Sequence, residues 1–234
     1  MTGGHSQAVC FVDLWWTDLD RAYELDEGAG VLSHDEWERA DRFASAVHRA
    51  RFIRCRTLLR RILAGALGEN PRDLRLHYGP NGKPFVNRGG GNLHFNVAHS
   101  EQSAAIALAR GFAIGVDVER FRTVEHCAGV AAVVCSADER REVADAPEPS
   151  RQFLTIWTRK EAFVKAVGTG CAEPLSAIRV SAREAAGCYE SSAVREVAGW
   201  RWLDISSETK AAAVAAHAGA IVVREHDDPA KFTG

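Results

Sequence analysis

Residues 115–119 read Gly115-Val116-Asp117-Val118-Glu119, inside a run from Ala113 to Val118 with the composition of a strand. Successive side chains of a strand point to opposite faces. Asp117 and Glu119 therefore project together, while Val116 and Val118 turn the other way into a core. Two carboxylates at neighbouring positions on one face repel unless a cation or basic group lies between them. Such hard oxygen donors suit Mg²⁺, which takes one or two carboxylates and fills its shell with phosphate oxygens and water. Taken by itself, the same pattern also fits an ordinary acidic strand end facing solvent.

Upstream of this strand, Leu93–Val97 and Ser103–Leu108 are strand-like and Gly111 marks a turn. Leu74–Tyr78 is a short strand followed by the turn Gly79-Pro80-Asn81-Gly82, and Asn87–Gly91 is a loop whose three glycines suggest a mobile rim. From Glu36 to Gly68 the apolar spacing is helical, with a break expected near Ala44–Ser45. Ser33 and Glu36 form a capping-box pattern at its start, and Gly68 with Pro71 closes it. Cys10–Trp16 is a β-type run.

Downstream, Ser136–Val143 and Gln152–Val167 read as helices separated by a Pro147/Pro149 linker. Strands are expected at Ile178–Ser181, Trp200–Ile205, Ala211–His217 and Ile221–Arg224. Each half is then a strand, helices and about three strands. This predicts an α/β fold of the α+β kind, with two similar subdomains over residues 9–111 and 112–225 and loose ends at 1–8 and 226–234.

Composition narrows the functions open to such a chain. Its 234 residues are 46% hydrophobic and 26% charged, values that allow a real core. A net charge of −2 gives no global attraction to nucleic acid or to a membrane surface, so any basic function must be local. No apolar run reaches the roughly 20 residues that span a bilayer, and no secretory signal is present. The six cysteines, Cys10, Cys55, Cys127, Cys135, Cys171 and Cys188, have neither CxxC nor zinc-ligand spacing and read as free thiols. A cytoplasmic protein is expected.

Four further segments carry possible chemistry. In Trp157-Thr158-Arg159-Lys160-Glu161-Ala162-Phe163-Val164-Lys165-Ala166-Val167-Gly168-Thr169-Gly170, helical spacing puts Glu161 and Lys165 on one face with Lys160 close by and Trp157 one turn earlier. Ile156, Ala162, Phe163 and Val167 form the apolar face. In Leu93-His94-Phe95-Asn96-Val97-Ala98-His99-Ser100, Asn96, Ala98 and Ser100 share one face and His99 takes the other. Gly82-Lys83-Pro84 follows a turn and brings backbone and one positive charge to a loop. Between Glu38 and Arg61 stand Arg39, Arg42, Arg49, Arg51, Arg54, Arg56, Arg60 and Arg61, a local positive field suited to phosphates or an acidic partner. No zinc finger, RRM motif or KH loop accompanies it, which argues against nucleic acid.

The ordered set GKP, FNVAHS, GVDVE and WTRKEAFVKAVGTG resembles the Sfp-type 4′-phosphopantetheinyl transferase family, over roughly Ser33 to Ser181. Val134-Cys135-Ser136-Ala137-Asp138-Glu139 is similar to that family's phenylalanine-serine-glutamate segment. The resemblance implies a monomer of two related subdomains in pseudo-twofold arrangement, each a small, mostly antiparallel sheet packed with helices. It implies that CoA and Mg²⁺ bind between them and that phosphopantetheine passes to a serine of an acyl or peptidyl carrier protein, releasing adenosine 3′,5′-bisphosphate. Position by position, it makes Asp117, Glu119 and Glu161 the metal carboxylates and Glu161 the candidate general base as well. Lys165 and His99, followed by Ser100, would meet the pyrophosphate, and Lys160 would assist or hold the helix in place. Gly82, Lys83, Pro84 and Asn96 would line the adenosine end, with Arg39, Arg42 and Arg51 serving phosphate or carrier contacts.

Ala98 departs from the family, which usually has serine there; the change removes a hydroxyl that could reach the nucleotide. Two other readings compete. One is the trimeric holo-ACP synthase type, disfavoured because this chain is long enough to hold both halves. The other is a paralogue that binds CoA without transfer, disfavoured because all three carboxylates and Lys165 are present. The carrier could belong to polyketide, nonribosomal-peptide, fatty-acid or aminoadipate-reducing systems.

Overall fold

Two serines start helices in the same way. Ser33 accepts the backbone N–H of Glu36 while the Glu36 carboxylate accepts the backbone N–H of Ser33, and Ser136 and Glu139 repeat the exchange. They open α1 (His34–Asp41) and α4 (Ala137–Ala144). Each box satisfies orphan donors of the first turn, an effect of about 1 kcal/mol. The expected break falls at residues 42–45, after which Ser45 caps α2 (Ala46–Leu67), and Gly68 ends it at φ 68°.

The computed structural model describes residues 8–21, 30–87, 92–168, 174–191 and 197–226. The glycine rim at Gly89–Gly91, Thr169-Gly170, Cys171 and both stretches expected to be loose, apart from their innermost residues, lie outside these. The first sheet has the order β10 (Ala220–His226), β1 (Val9–Asp18), β5 (Ser103–Arg110), β4 (Leu93–Ser100). The second has the order β6 (Ile114–Arg120), β9 (Lys210–His217), β8 (Trp200–Asp204), β7 (Ala186–Cys188). A short hairpin, β2 (Leu76–Tyr78) with β3 (Pro84–Val86), closes over the Gly79–Gly82 turn. All pairings are antiparallel except β1 with β10. The mixed α and β architecture expected from the sequence is therefore present.

Small side chains let the two sheets meet. Ala105, Ala107 and Ala109 of β5 pack with Val116 and Val118 of β6 and with Ala212, Val214 and Ala216 of β9 in one buried cluster. The alternate residues of the same strands serve other layers. Ile106 and Leu108 join Leu58, Leu59, Ile62 and Leu63 of α2. Ala211, Ala213 and Ala215 join Phe153, Ile156 and Phe163 of α5 (Pro149–Val167). The order of layers is thus α2, first sheet, second sheet, α5.

Several sequence expectations change here. The strand Ile221–Arg224 exists, within β10, but pairs with β1 of the first sheet, so the chain returns to the unit it started in. A boundary that leaves 112–225 as one unit cuts this pairing. Among the described residues, Ile178–Ser181 makes a single bridge, Arg179 with Glu190, while the N–H of Val180, on the opposite edge, is taken by Glu139. The helix expected at Gln152–Val167 starts at Pro149 instead, since proline fits the first helical turn. A further helix, α3 (Cys127–Val134), lies where none was expected.

Candidate active site

Gly115 decides how near α5 comes to β6. A Cβ at this position would stand 2.0 Å from the Ala162 carbonyl oxygen and 2.4 Å from the Ala166 nitrogen, both helix backbone. Only glycine allows that approach. Asp117 and Glu119 share the face of Gly115, so the approach sets them against the helix residues Glu161 and Lys165.

Asp117 is 4% exposed, and its Oδ1 accepts from Lys165 Nζ at 2.5 Å. Its Oδ2 is buried with no hydrogen-bond partner. Burial raises the Asp117 pKa to about 6 despite the adjacent ammonium, and the charges of Glu119 and Glu161 push the same way. Burial raises Glu161 too, partly offset by Lys165 and reinforced by Glu119. Glu119 Oε2 accepts from Ser100 Oγ at 3.0 Å, and the same hydroxyl accepts the N–H of Arg120. Partial removal from water, followed by the Lys165 charge, lowers His99, whose ring still reaches solvent.

Three carboxylates, one ammonium and one imidazole thus act on each other's charge across β4, β6 and α5. Among the described residues, no three His, Cys, Asp or Glu side chains already converge as a metal cage. The donor chemistry nevertheless fits a hard divalent cation. Asp117 carries a buried, unpartnered oxygen, and a carboxylate in that state is stabilised by a positive charge.

Next to this group lies a cleft of about 540 Å³ whose walls include Arg39, Arg51, Phe52, Pro84, Asn96 and His99. Five expected ligand-binding residues therefore share one cavity. Arg51 is held there by a two-pronged pair with Asp20, at 2.7 and 2.6 Å. Asp20 had no local signal in the sequence, since it lies 31 residues away in an unremarked turn. Arg39 lies with its guanidinium over Phe52. Glu101, at φ 52° in the β4–β5 turn, also lines the cleft and was not anticipated.

Other expected ligand residues do different work. Lys160 is 0% exposed, and its ammonium donates to Glu139 Oε2 at 2.6 Å and to the carbonyls of Val134 and Leu175. All three donors are taken by protein oxygens, so Lys160 holds α5 to α4. Lys83 Nζ donates to the carbonyls of Ala166 at 2.8 Å and Ile114 at 3.1 Å, and burial lowers its pKa to about 8. Asn96 Oδ1 accepts the N–H of Val116 at 2.9 Å while the residue also borders the cleft. Gly82 shapes the hairpin turn at φ 77°.

Arg42 is exposed outside the cleft, in an adjoining polar groove with Arg72 and Arg75 that Arg39 also lines. The arginine field is also weaker than its count suggested. Arg60 is buried against Glu36, Arg49 pairs with Asp41, and Arg54 donates to the Leu19 carbonyl. Ala98 is 2% exposed in the cluster between the sheets, so a serine hydroxyl there would enter that core rather than meet a nucleotide.

Comparison with known proteins gives consistent results. Residues 113–219 match the family model described as the 4′-phosphopantetheinyl transferase superfamily. The chain is 32% identical over 213 residues to the 4′-phosphopantetheinyl transferase HetI of Nostoc sp. strain PCC 7120, covering 89% of this chain and 88% of that one. It is 38% identical over 125 residues to the 4′-phosphopantetheinyl transferase AcpT of Salmonella typhi, covering 52% and 60%. A 4′-phosphopantetheinyl transferase of Bacillus subtilis is 27% identical over 168 residues, covering 70% and 72%.

Proposed function

This chain belongs to the 4′-phosphopantetheinyl transferase superfamily, and from that premise we propose that it moves phosphopantetheine from CoA to a serine of an acyl or peptidyl carrier protein. The observation that carries the residue assignment is Asp117: buried, with one oxygen on Lys165 and the other unpartnered, on the strand that faces Glu161. In this reading the working unit is one chain, cytoplasmic, with the two sheets supplying the two sides of the site. No helix among the described residues is long and apolar enough to cross a membrane.

Asp117, Glu119 and Glu161 would hold a Mg²⁺ ion, which when bound offsets the negative charge of the CoA pyrophosphate. The rest falls to the chain's own groups. Arg39, Arg51 and His99 on the cleft would take CoA phosphate oxygens, and Pro84 would border the adenosine. Arg42, outside the cleft, would face the carrier. Lys165 would donate to the oxygen that leaves with adenosine 3′,5′-bisphosphate, stabilising charge as it develops there. Glu161, with its pKa raised by burial, would accept the proton of the serine hydroxyl. The serine oxygen forms the new bond to the pantetheine-side phosphorus, and the bond from that phosphorus to the departing phosphate oxygen breaks.

The roles are tested by rates of labelling of an apo carrier protein with CoA and Mg²⁺. Glu161→Gln and Asp117→Ala should each lower kcat by about 100-fold or more, the scale for loss of a general base or a main electrostatic group. Labelling at the wild-type rate by either variant would overturn the assignment.

A further inference from the structure

We propose that Lys83 is a positioning residue, whose ammonium ties the strand bearing Asp117 and Glu119 to the helix bearing Glu161 and Lys165. Its Nζ lies 3.1 Å from the Ile114 carbonyl oxygen and 2.8 Å from that of Ala166. Ile114 is three residues before Asp117 on β6, and Ala166 directly follows Lys165 on α5. One side chain, from the hairpin loop, therefore bridges the two elements that hold the carboxylates. The inference rests on the function proposed above and assigns a part in it to a residue that the resemblance had placed at the adenosine end.

Both carbonyls need an outside donor. Ala166 is in the last turn of α5, where carbonyls lack an intrahelical partner and carry the negative end of the helix dipole. Ile114 is on β6, at the edge of the second sheet, which among the described residues pairs only with β9. Asn96 treats the same open edge similarly, accepting the N–H of Val116. The helix end is shaped around the lysine as well. Gly168 takes φ 71°, and a Cβ there would stand 2.8 Å from Lys83 Cδ. A cation whose stem is packed and whose head faces two backbone oxygens is built as a tie. Lys83 also lies outside the walls of the cleft that Arg39, Arg51 and His99 share.

The consequence concerns the gap between β6 and α5. Gly115 sets how closely the two elements approach, and Lys83 keeps them there at the end remote from Glu119. Removing the tie should loosen the carboxylate set without touching the CoA cleft. Supporting groups around metal ligands are worth about 10- to 100-fold in affinity or activity.

The test compares wild type with Lys83→Gln and Lys83→Met, using Mn²⁺ titration followed by electron paramagnetic resonance, and steady-state labelling of an apo carrier protein. The expected result is Mn²⁺ binding weaker by about 10-fold and kcat lower by a similar factor. KM for CoA should move less than about twofold, with Lys83→Gln, which keeps a donor, milder than Lys83→Met. A rise of about tenfold in KM for CoA with Mn²⁺ affinity unchanged would overturn the proposal in favour of a direct CoA contact. A lower melting temperature with Mn²⁺ affinity and kcat both unchanged would overturn it in favour of a purely structural staple. Should Lys83→Met fail to fold, Lys83→Gln carries the same comparison. Failure of wild type to label any carrier would count against the transferase reading, whereas the Mn²⁺ titration judges Lys83 independently.

Discussion

A carboxylate with 4% exposure and one oxygen unpartnered, as Asp117 has, is costly in water-free surroundings and valuable once a cation arrives. Its folded pKa of about 6 lies above the ordinary 3.8 because of burial, so the folded state binds its proton more tightly than the unfolded chain does. Stability of the metal-free protein should therefore be greatest below pH 3.8 as far as this group is concerned, and fall as pH rises through 6. The fall attributable to Asp117 is about 2–3 kcal/mol. Urea unfolding in the presence of a chelator should show this component in wild type and lack it in Asp117→Asn; identical pH profiles would contradict it. Added Mg²⁺ should raise the melting temperature more at pH 7.5 than at pH 5, because protonation competes with the ion. The alternation of GVDVE was enough to place Asp117 and Glu119 on one face. Depth was not legible: nothing in a five-residue pattern says that α5 covers Asp117, or that Ala98 faces a neighbouring sheet.

At the level of elements, the contact of α5 with β6 concentrates the site, and Gly115 is its narrowest point. Gly115→Ala would place a methyl group 2.0 Å from the Ala162 carbonyl oxygen, so strand or helix must move. Overpacking of this kind costs about 3 kcal/mol. The variant should melt at lower temperature and lose labelling activity, as measured by calorimetry and carrier labelling, and wild-type behaviour in both would refute the packing argument. Elements with chemical end signals were the readable ones. Ser33/Glu36, Ser136/Glu139 and Gly68 marked helix ends because capping is local in sequence. The helix α3 was not readable. Its sequence CAGVAAVV has no polar alternation, and its N-cap His126 is left-handed with no side-chain capping bond. Lys160 illustrates a second limit. The Lys-Glu pair in the Trp157–Gly170 segment looked like adjacent functional groups, yet Lys160 meets Glu139, 21 residues away, and leaves Glu161 and Lys165 facing the strand.

For the whole molecule, the layers place a cleft against the first sheet and a carboxylate strand at the edge of the second. Asn96 and Ser100 cross between them, bonding to Val116 N–H and to Glu119. The end of the chain was not legible, because the parallel pairing of β10 with β1 joins residues more than 200 apart and has no local trace. The arginine field was overcounted for a similar reason. Charge is countable from sequence, but the partners Asp20, Glu36 and Asp41 that reduce it become visible only when the helices are folded. What lines the cleft is a smaller basic set, Arg39, Arg56 and the Asp20-paired Arg51 with His99, beside Asp117, Glu119, Glu161 and Lys165. The most direct measurement is the intact mass of an apo carrier protein after incubation with this enzyme, CoA and Mg²⁺. The account predicts a gain of one phosphopantetheine group on the carrier serine, dependent on the divalent cation, with adenosine 3′,5′-bisphosphate released in equal amount. An unmodified carrier across acyl and peptidyl types, with the enzyme folded and CoA intact, would contradict it.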